Sequence, residues 1–223
     1  MFIPLKDENP TLKFPIVTII LVIVNCLVFF YQVISPEGLS YQVLRFGIIP
    51  YEITHWHIDV GVPRVFWPLS LITGMFLHGS LWHLLGNMLY LWIFGNNVEE
   101  FLGPLRFLWF YLACGLSASL VQVAFSPNSR VPMIGASGAI AGLLGAYLIL
   151  YPTARVKTLV FLIFYITIIS VPAWVILSLW FFLQLANVGL GGGVAWFAHI
   201  GGFLVGVALV YPRKKKRLKF HFA

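Results

Sequence analysis

Gly135-Ala136-Ser137-Gly138-Ala139-Ile140-Ala141-Gly142 sets one hydroxyl among small residues inside a long apolar run. Glycine and alanine four apart on a helix let a second backbone come close, which is how helices associate when lipid surrounds them. A matching stretch, Ala198-His199-Ile200-Gly201-Gly202, follows about sixty residues later and carries a single imidazole. Taken alone, Ser137 in such a setting is packing glue and His199 an interhelical hydrogen bond. Together they are the minimum parts of a hydrolase.

The rest of the chain fits that setting. Its 223 residues are 60% hydrophobic, 17% aromatic and 9% charged, against roughly 25% charged in soluble domains. This is the composition of a polytopic membrane protein, with room for about six spans of roughly 20 residues each. Uncharged runs and their punctuation place the spans at 14–34, 81–99, 104–124, 137–152, 172–187 and 195–212. The expected fold is therefore an all-α, six-transmembrane-helix bundle forming a single domain over 1–223. The run from Thr158 to Val171 is apolar but stops at Pro172. A half-span, an interfacial segment or an extension of the fifth helix all suit it, and a seventh span stays open. Gly189, Gly191, Gly192 and Gly193 mark a flexible loop before the last helix. Lys6-Asp7-Glu8-Asn9-Pro10 precedes the first run without a small-residue cleavage site, so no removable signal peptide is expected. Cys26 and Cys114 fall within spans, where they read as small core residues and not as a disulfide.

Six spans bring both termini to one side, and Arg213-Lys214-Lys215-Lys216-Arg217-Leu218-Lys219 marks that side as cytoplasmic, on anionic lipid. The net charge of +7 then needs no nucleic acid to explain it. The N-terminus 1–13 and the basic tail 213–223 are both expected in the cytoplasm. Lys6, Lys13, Arg106, Arg155 and Lys157 join the six basic residues of the tail, making eleven inside, against Arg45, Arg64 and Arg130, three outside. The expected location is the plasma membrane of a prokaryotic cell. The long external connection from Ser35 to Ser80 carries Tyr51, Trp56 and Trp67, so part of it is expected to lie in the interface. Within it His55-Trp56-His57 reads as interfacial belt residues, because no third metal ligand has suitable spacing.

Helix rise converts residue number into depth. Ser137 lies fifteen residues above Pro152 and His199 thirteen above Pro212, or about 22 and 20 Å above the inner boundary. His83 and Asn87 lie sixteen and twelve residues above Glu99, or about 24 and 18 Å. Four polar side chains from three helices thus share one layer in the outer half of a core about 30 Å thick. The faces Gly138-xxx-Gly142 and Ala198-xxx-Gly202-xxx-Gly206 would bring Ser137 Oγ within reach of the His199 ring, as a weak hydroxyl nucleophile requires. His83 and Asn87, one turn apart, suit donors to a developing oxyanion, and Ser137 starts a helix whose first N–H groups lack partners.

Glu100 is the last acid in the sequence, so a Ser-His dyad is expected in place of a full triad. The same absence argues against an aspartyl protease and against a carrier built on buried carboxylates. A transporter or channel would also want polar residues through the full thickness of the membrane. There is no HExxH, which disfavours zinc hydrolysis. A general base must be neutral, so activity is expected to fall on acidification.

These residues resemble the rhomboid intramembrane serine proteases over nearly the whole chain. The motifs are His78-x4-His83-x3-Asn87, Gly95-x3-Glu99-x3-Gly103, GASGA around Ser137, and Ala198-His199-x2-Gly202-x3-Gly206. The resemblance implies Ser137 as nucleophile, His199 as general base, and His83, Asn87 and the Ser137 backbone N–H as oxyanion donors. It also implies a structural role for His78 and Glu99, and a substrate gate made by the fifth span, with Trp174, Trp180, Phe181 and Phe182, and the Gly189–Gly193 loop. Implied partners are transmembrane protein substrates and the lipid bilayer, with no metal or organic cofactor. The alternative is a catalytically inert relative that binds and regulates transmembrane clients. Two departures stand out: Trp67 is followed by Pro68 where many members have Trp-Arg, and Ala141 stands where some place a tyrosine that stacks on the histidine.

Overall fold

In the computed structural model, which describes residues 2–56, 60–162, 165–190 and 193–221, the chain opens as a strand, β1 (Phe2–Asp7), and enters helix α1 (Ile16–Ile34). Three short helices, α2 (Gly38–Phe46), α3 (Pro50–His55) and α4 (Trp67–Thr73), and a 3-10 turn at Gly74–Phe76 occupy the long connection to α5 (Leu81–Leu102). Helices α6 (Pro104–Phe125) and α7 (Ser137–Leu150) follow, then strands β2 (Arg155–Leu162) and β3 (Tyr165–Pro172), and finally α8 (Ala173–Ala186) and α9 (Trp196–His221). Among the described residues, α1 and α6 are the two helices long and apolar enough to cross a membrane by length and composition. Helices α7 and α8 have fourteen residues each and reach about 21 Å.

The strands correct the all-α expectation. The described residues of that run, 158–162 and 165–171, form no span, half-span or helical extension; they lie within β2 and β3, antiparallel to each other, with β1 on the far side of β2. Val156, Thr158 and Val160 alternate inward and are buried, the period-two pattern of a strand. Valine, isoleucine and threonine, stiff at χ1, suit a pleated surface. The N-terminal segment is likewise no simple tail, since β1 is an edge strand, where Pro4 is tolerated beside a bulge. Helix α9 also continues past Pro212 into the basic segment, where the sequence reading ended it.

Buried polar groups tie these elements together at one end of the bundle. Glu99 on α5 accepts from the Val17 and Thr18 amides at 2.9 and 2.8 Å and from Thr18 Oγ1 at 2.8 Å. A carboxylate at the start of α1 satisfies amides that the helix leaves open and suits its dipole. Glu100 receives the Leu12 and Lys13 amides beside it. Asp7 accepts from Asn97 at 2.7 Å and Tyr147 at 2.8 Å. Burial pushes its carboxyl above the ordinary range, and those two donors pull it partly back. Lys214 on α9 closes the same end by donating to the Ile149 carbonyl at the last turn of α7.

The core is set by how closely α7 and α9 approach. A Cβ on Gly202 would strike the Gly138 carbonyl oxygen, and one on Gly206 would strike that of Gly142. The small-residue faces read from the sequence are therefore the contact surface. At the opposite end, Arg64 pairs with Glu52 at 2.5 Å and donates to the carbonyls of Leu44 and Gly47. It anchors the long connection that lacks the Trp-Arg pair at Trp67-Pro68. Ile48 bridges to Met133 from the same connection, which holds the segment leading into α7.

Candidate active site

Ser137 is the first residue of α7, and the chain reaches it through Gly135, whose φ of +114° is open to glycine. Gly135 also passes so close to α5 that a Cβ there would lie 2.8 Å from His83 Nε2 and 3.7 Å from Asn87 Nδ2. The Gly135 amide donates to Gly74 at 2.9 Å, holding this approach in place. The first intrahelical bond of α7 is Ile140 N–H to Ala136 at 3.0 Å. Helix geometry therefore leaves the Ser137 N–H without a partner in its own helix.

His199 Nε2 lies 2.9 Å from Ser137 Oγ. The two residues, on α9 and α7, meet because of the glycine contacts between these helices. The start of α9 is fixed by Gln122 of α6, which accepts the Ala198 amide at 3.1 Å. On its other side His199 Nδ1 lies 2.8 Å from Gln184 Oε1 of α8. The rings of Trp180 and Trp196 lie against the imidazole, with centroids 5.9 and 6.1 Å away. Ala141, buried in α7, offers the ring no aromatic.

His83 and Asn87 occupy the N-terminal half of α5, which starts at the Ser80 cap, whose Oγ accepts the His83 amide at 3.1 Å. The Gly79 amide approaches His83 Nδ1 at 3.4 Å, a long bond that leaves Nε2 as the protonated nitrogen facing Gly135. Asn87 Nδ2 donates to the His83 carbonyl at 3.1 Å and keeps a second N–H. A cavity of about 700 Å³ is lined by Ser137, His199, His83, Asn87, Gln122 and Gly135, among others. All four side chains placed at one depth by helix rise meet there.

His78 does not line that cavity. It is fully buried, and the Gln32 side chain of α1 holds its backbone by accepting its N–H at 3.0 Å and donating to its carbonyl at 3.2 Å. Its ring stands edge-on to His83 at 5.0 Å and packs against that side chain from behind. His55 stacks on Tyr51 at 3.9 Å, while His57 lies outside the described residues. In the glycine segment before α9, Gly189 and Gly193 have φ of +86° and +71°, and Gly191 and Gly192 lie outside the described residues. Gln184 and Gln122 escaped the sequence reading. Their signal was there, as lone amides in apolar helices, but nothing in one sequence says what such an amide faces.

Residues 64–216 match the Rhomboid domain family. The chain is 34% identical over 150 residues to Rhomboid protein 1, mitochondrial, of Saccharomyces cerevisiae, an alignment covering 62% of this chain and 40% of that protein. It is 37% identical over 143 residues to Rhomboid protease GluP of Bacillus subtilis, covering 64% and 26%. It is 30% identical over 166 residues to Presenilin-associated rhomboid-like protein A, mitochondrial, of Danio rerio, covering 68% and 41%. The chain thus spans less than half the length of each of these relatives. Because the matched stretch takes in α5, α7 and α9 with the cavity between them, the chain belongs to the rhomboid family of membrane-embedded proteins.

Proposed function

We propose that the chain is an intramembrane serine endopeptidase that hydrolyses peptide bonds in or beside the transmembrane segments of other proteins. The observation that carries this reading is the 2.9 Å approach of Ser137 Oγ to His199 Nε2 at the wall of a cavity. His199 takes the Ser137 proton as Oγ attacks the substrate carbonyl, then gives it to the leaving amine. The oxyanion is received by the Ser137 N–H, His83 Nε2–H and the spare N–H of Asn87. Water entering the cavity attacks the acyl-enzyme, with His199 again as base, and restores the serine. An intact helix hides its carbonyls in its own hydrogen bonds, so segments with small or helix-breaking residues are favoured.

In this reading α1, α5, α6, α7, α8 and α9 are the six spans of one domain, with both termini in the cytoplasm of a prokaryotic cell. The two ends of the bundle support it: Asp7, Glu99 and Lys214 gather at one, and Arg64, Glu52 and Met133 at the other. GluP of Bacillus subtilis favours the prokaryotic plasma membrane, with the mitochondrial relatives as its counterweight.

The test is cleavage of a model transmembrane substrate by purified protein in detergent, with Ser137→Ala beside wild type. We expect the variant to lose at least about 10³-fold in rate. Cleavage that survives in Ser137→Ala would refute the nucleophile. Client binding without cleavage by wild type would return the inert, regulatory alternative.

A further inference from the structure

Helix α8 buries only Ala173, Leu177 and Gln184 of its fourteen residues. Gln184 is the polar group it turns into the bundle, and its amide makes two bonds. Oε1 lies 2.8 Å from His199 Nδ1, and Nε2 donates at 3.0 Å to the Trp180 carbonyl one turn earlier. The second bond decides the first. With the amide reversed, Oε1 would face the Trp180 carbonyl oxygen and two acceptors would meet without a proton between them. Oε1 therefore faces the ring, and an acceptor beside Nδ1 requires that Nδ1 carry the hydrogen. The lone pair is then on Nε2, the nitrogen 2.9 Å from Ser137 Oγ.

Resting on the serine-protease reading above, we propose that Gln184 is a positioning residue that sets the His199 tautomer, in the place where a triad has its carboxylate. A carboxylate fixes the tautomer, orients the ring and stabilises the imidazolium that forms during attack. An amide does the first two and adds only a dipole to the third. With no acid after Glu100, a neutral acceptor is what the chain can supply at this depth. Trp180, against the same ring, comes from the same helix. Other α8 side chains, among them Trp174, Leu179, Phe182 and Leu183, are exposed. The helix that holds the base in register thus buries few of its own side chains, and an outward displacement of α8 would release His199 from its acceptor.

Three measurements on the whole 223-residue chain decide this. Selective ¹⁵N labelling of histidine, read by NMR without substrate, should show His199 with Nδ1 protonated and Nε2 bare in wild type, and a mixture of tautomers in Gln184→Leu. Kinetics should show Gln184→Leu losing about 10- to 100-fold in kcat, less than loss of a triad carboxylate, with KM within about twofold. Gln184→Glu, whose protonated carboxyl keeps an acceptor toward Nδ1 and a donor toward the Trp180 carbonyl, should recover most of that loss. A wild-type spectrum with Nδ1 bare, an unchanged kcat in Gln184→Leu, or Gln184→Glu no better than Gln184→Leu would each overturn the proposal. Should Gln184→Leu fail to fold, the wild-type spectrum and Gln184→Glu still decide. The spectrum needs no turnover, so absence of cleavage by wild type would overturn the protease reading while the tautomer assignment stood or fell on its own.

Discussion

Asp7 is buried beneath two donors, Asn97 and Tyr147, which join the N-terminal strand to α5 and α7. Burial raises its carboxyl, so the folded chain holds that proton more tightly than the unfolded chain does. Its contribution to stability is therefore complete below the ordinary carboxyl value, about 3.9, and is lost as pH rises through the raised one. Asp7→Asn cannot titrate. The melting temperature of Asp7→Asn minus that of wild type should accordingly climb by a few degrees between about pH 4 and pH 7, and a flat difference would contradict the assignment. Asp7 drew no attention in the sequence, because an acid among Lys6, Glu8 and Asn9 reads as a solvated terminus. Ser137, His199, His83 and Asn87 were legible for the opposite reason. Each is isolated in apolar sequence, and helix rise alone gave them a common depth. Gln184 was equally isolated, but its partner is fifteen residues away on another helix, across a loop whose path one sequence does not give.

Among the elements, α7 and α9 were foreseen most fully, because small residues four apart state which faces touch. The carbonyl of Gly142 sits where a Gly206 Cβ would be. Gly206→Ala should therefore separate the helices and cost about 1–3 kcal/mol, whereas Gly86→Ala, with nothing within 4 Å of its Cβ, should be neutral or stabilising by up to about 1 kcal/mol. Thermal unfolding in detergent separates the two outcomes, and equal effects would mean that the contact is not the stabilising one. The β2–β3 pair was missed at the same scale. An apolar run of this length fits a strand pair or a helix, and its inward alternation becomes visible only once β1, about 150 residues earlier, lies beside it. The short connection helices α2, α3 and α4 were similarly hidden, since single polar contacts hold them more than any repeating pattern does: Arg64 with Glu52 and the Gly47 carbonyl for α2 and α3, and Thr73 donating to the Phe46 carbonyl for α4.

For the whole molecule, one end gathers the strands, the buried Asp7 and the basic segments, and the other gathers the long connection and the cavity. The site lies toward the second end, where an outer aqueous phase would reach Ser137 in the proposed topology. Family membership accounts for the arrangement of helices, but the chemistry depends on whether one serine out of the whole chain is activated by one histidine. The most direct measurement is intact-protein mass spectrometry after exposure to a fluorophosphonate, which reacts with an activated serine and releases fluoride. We predict a single adduct, located on Ser137, and a labelling rate at least about 10²-fold lower in His199→Ala. An adduct on another residue, no adduct on folded wild type, or undiminished labelling of His199→Ala would contradict the pairing of Ser137 with His199.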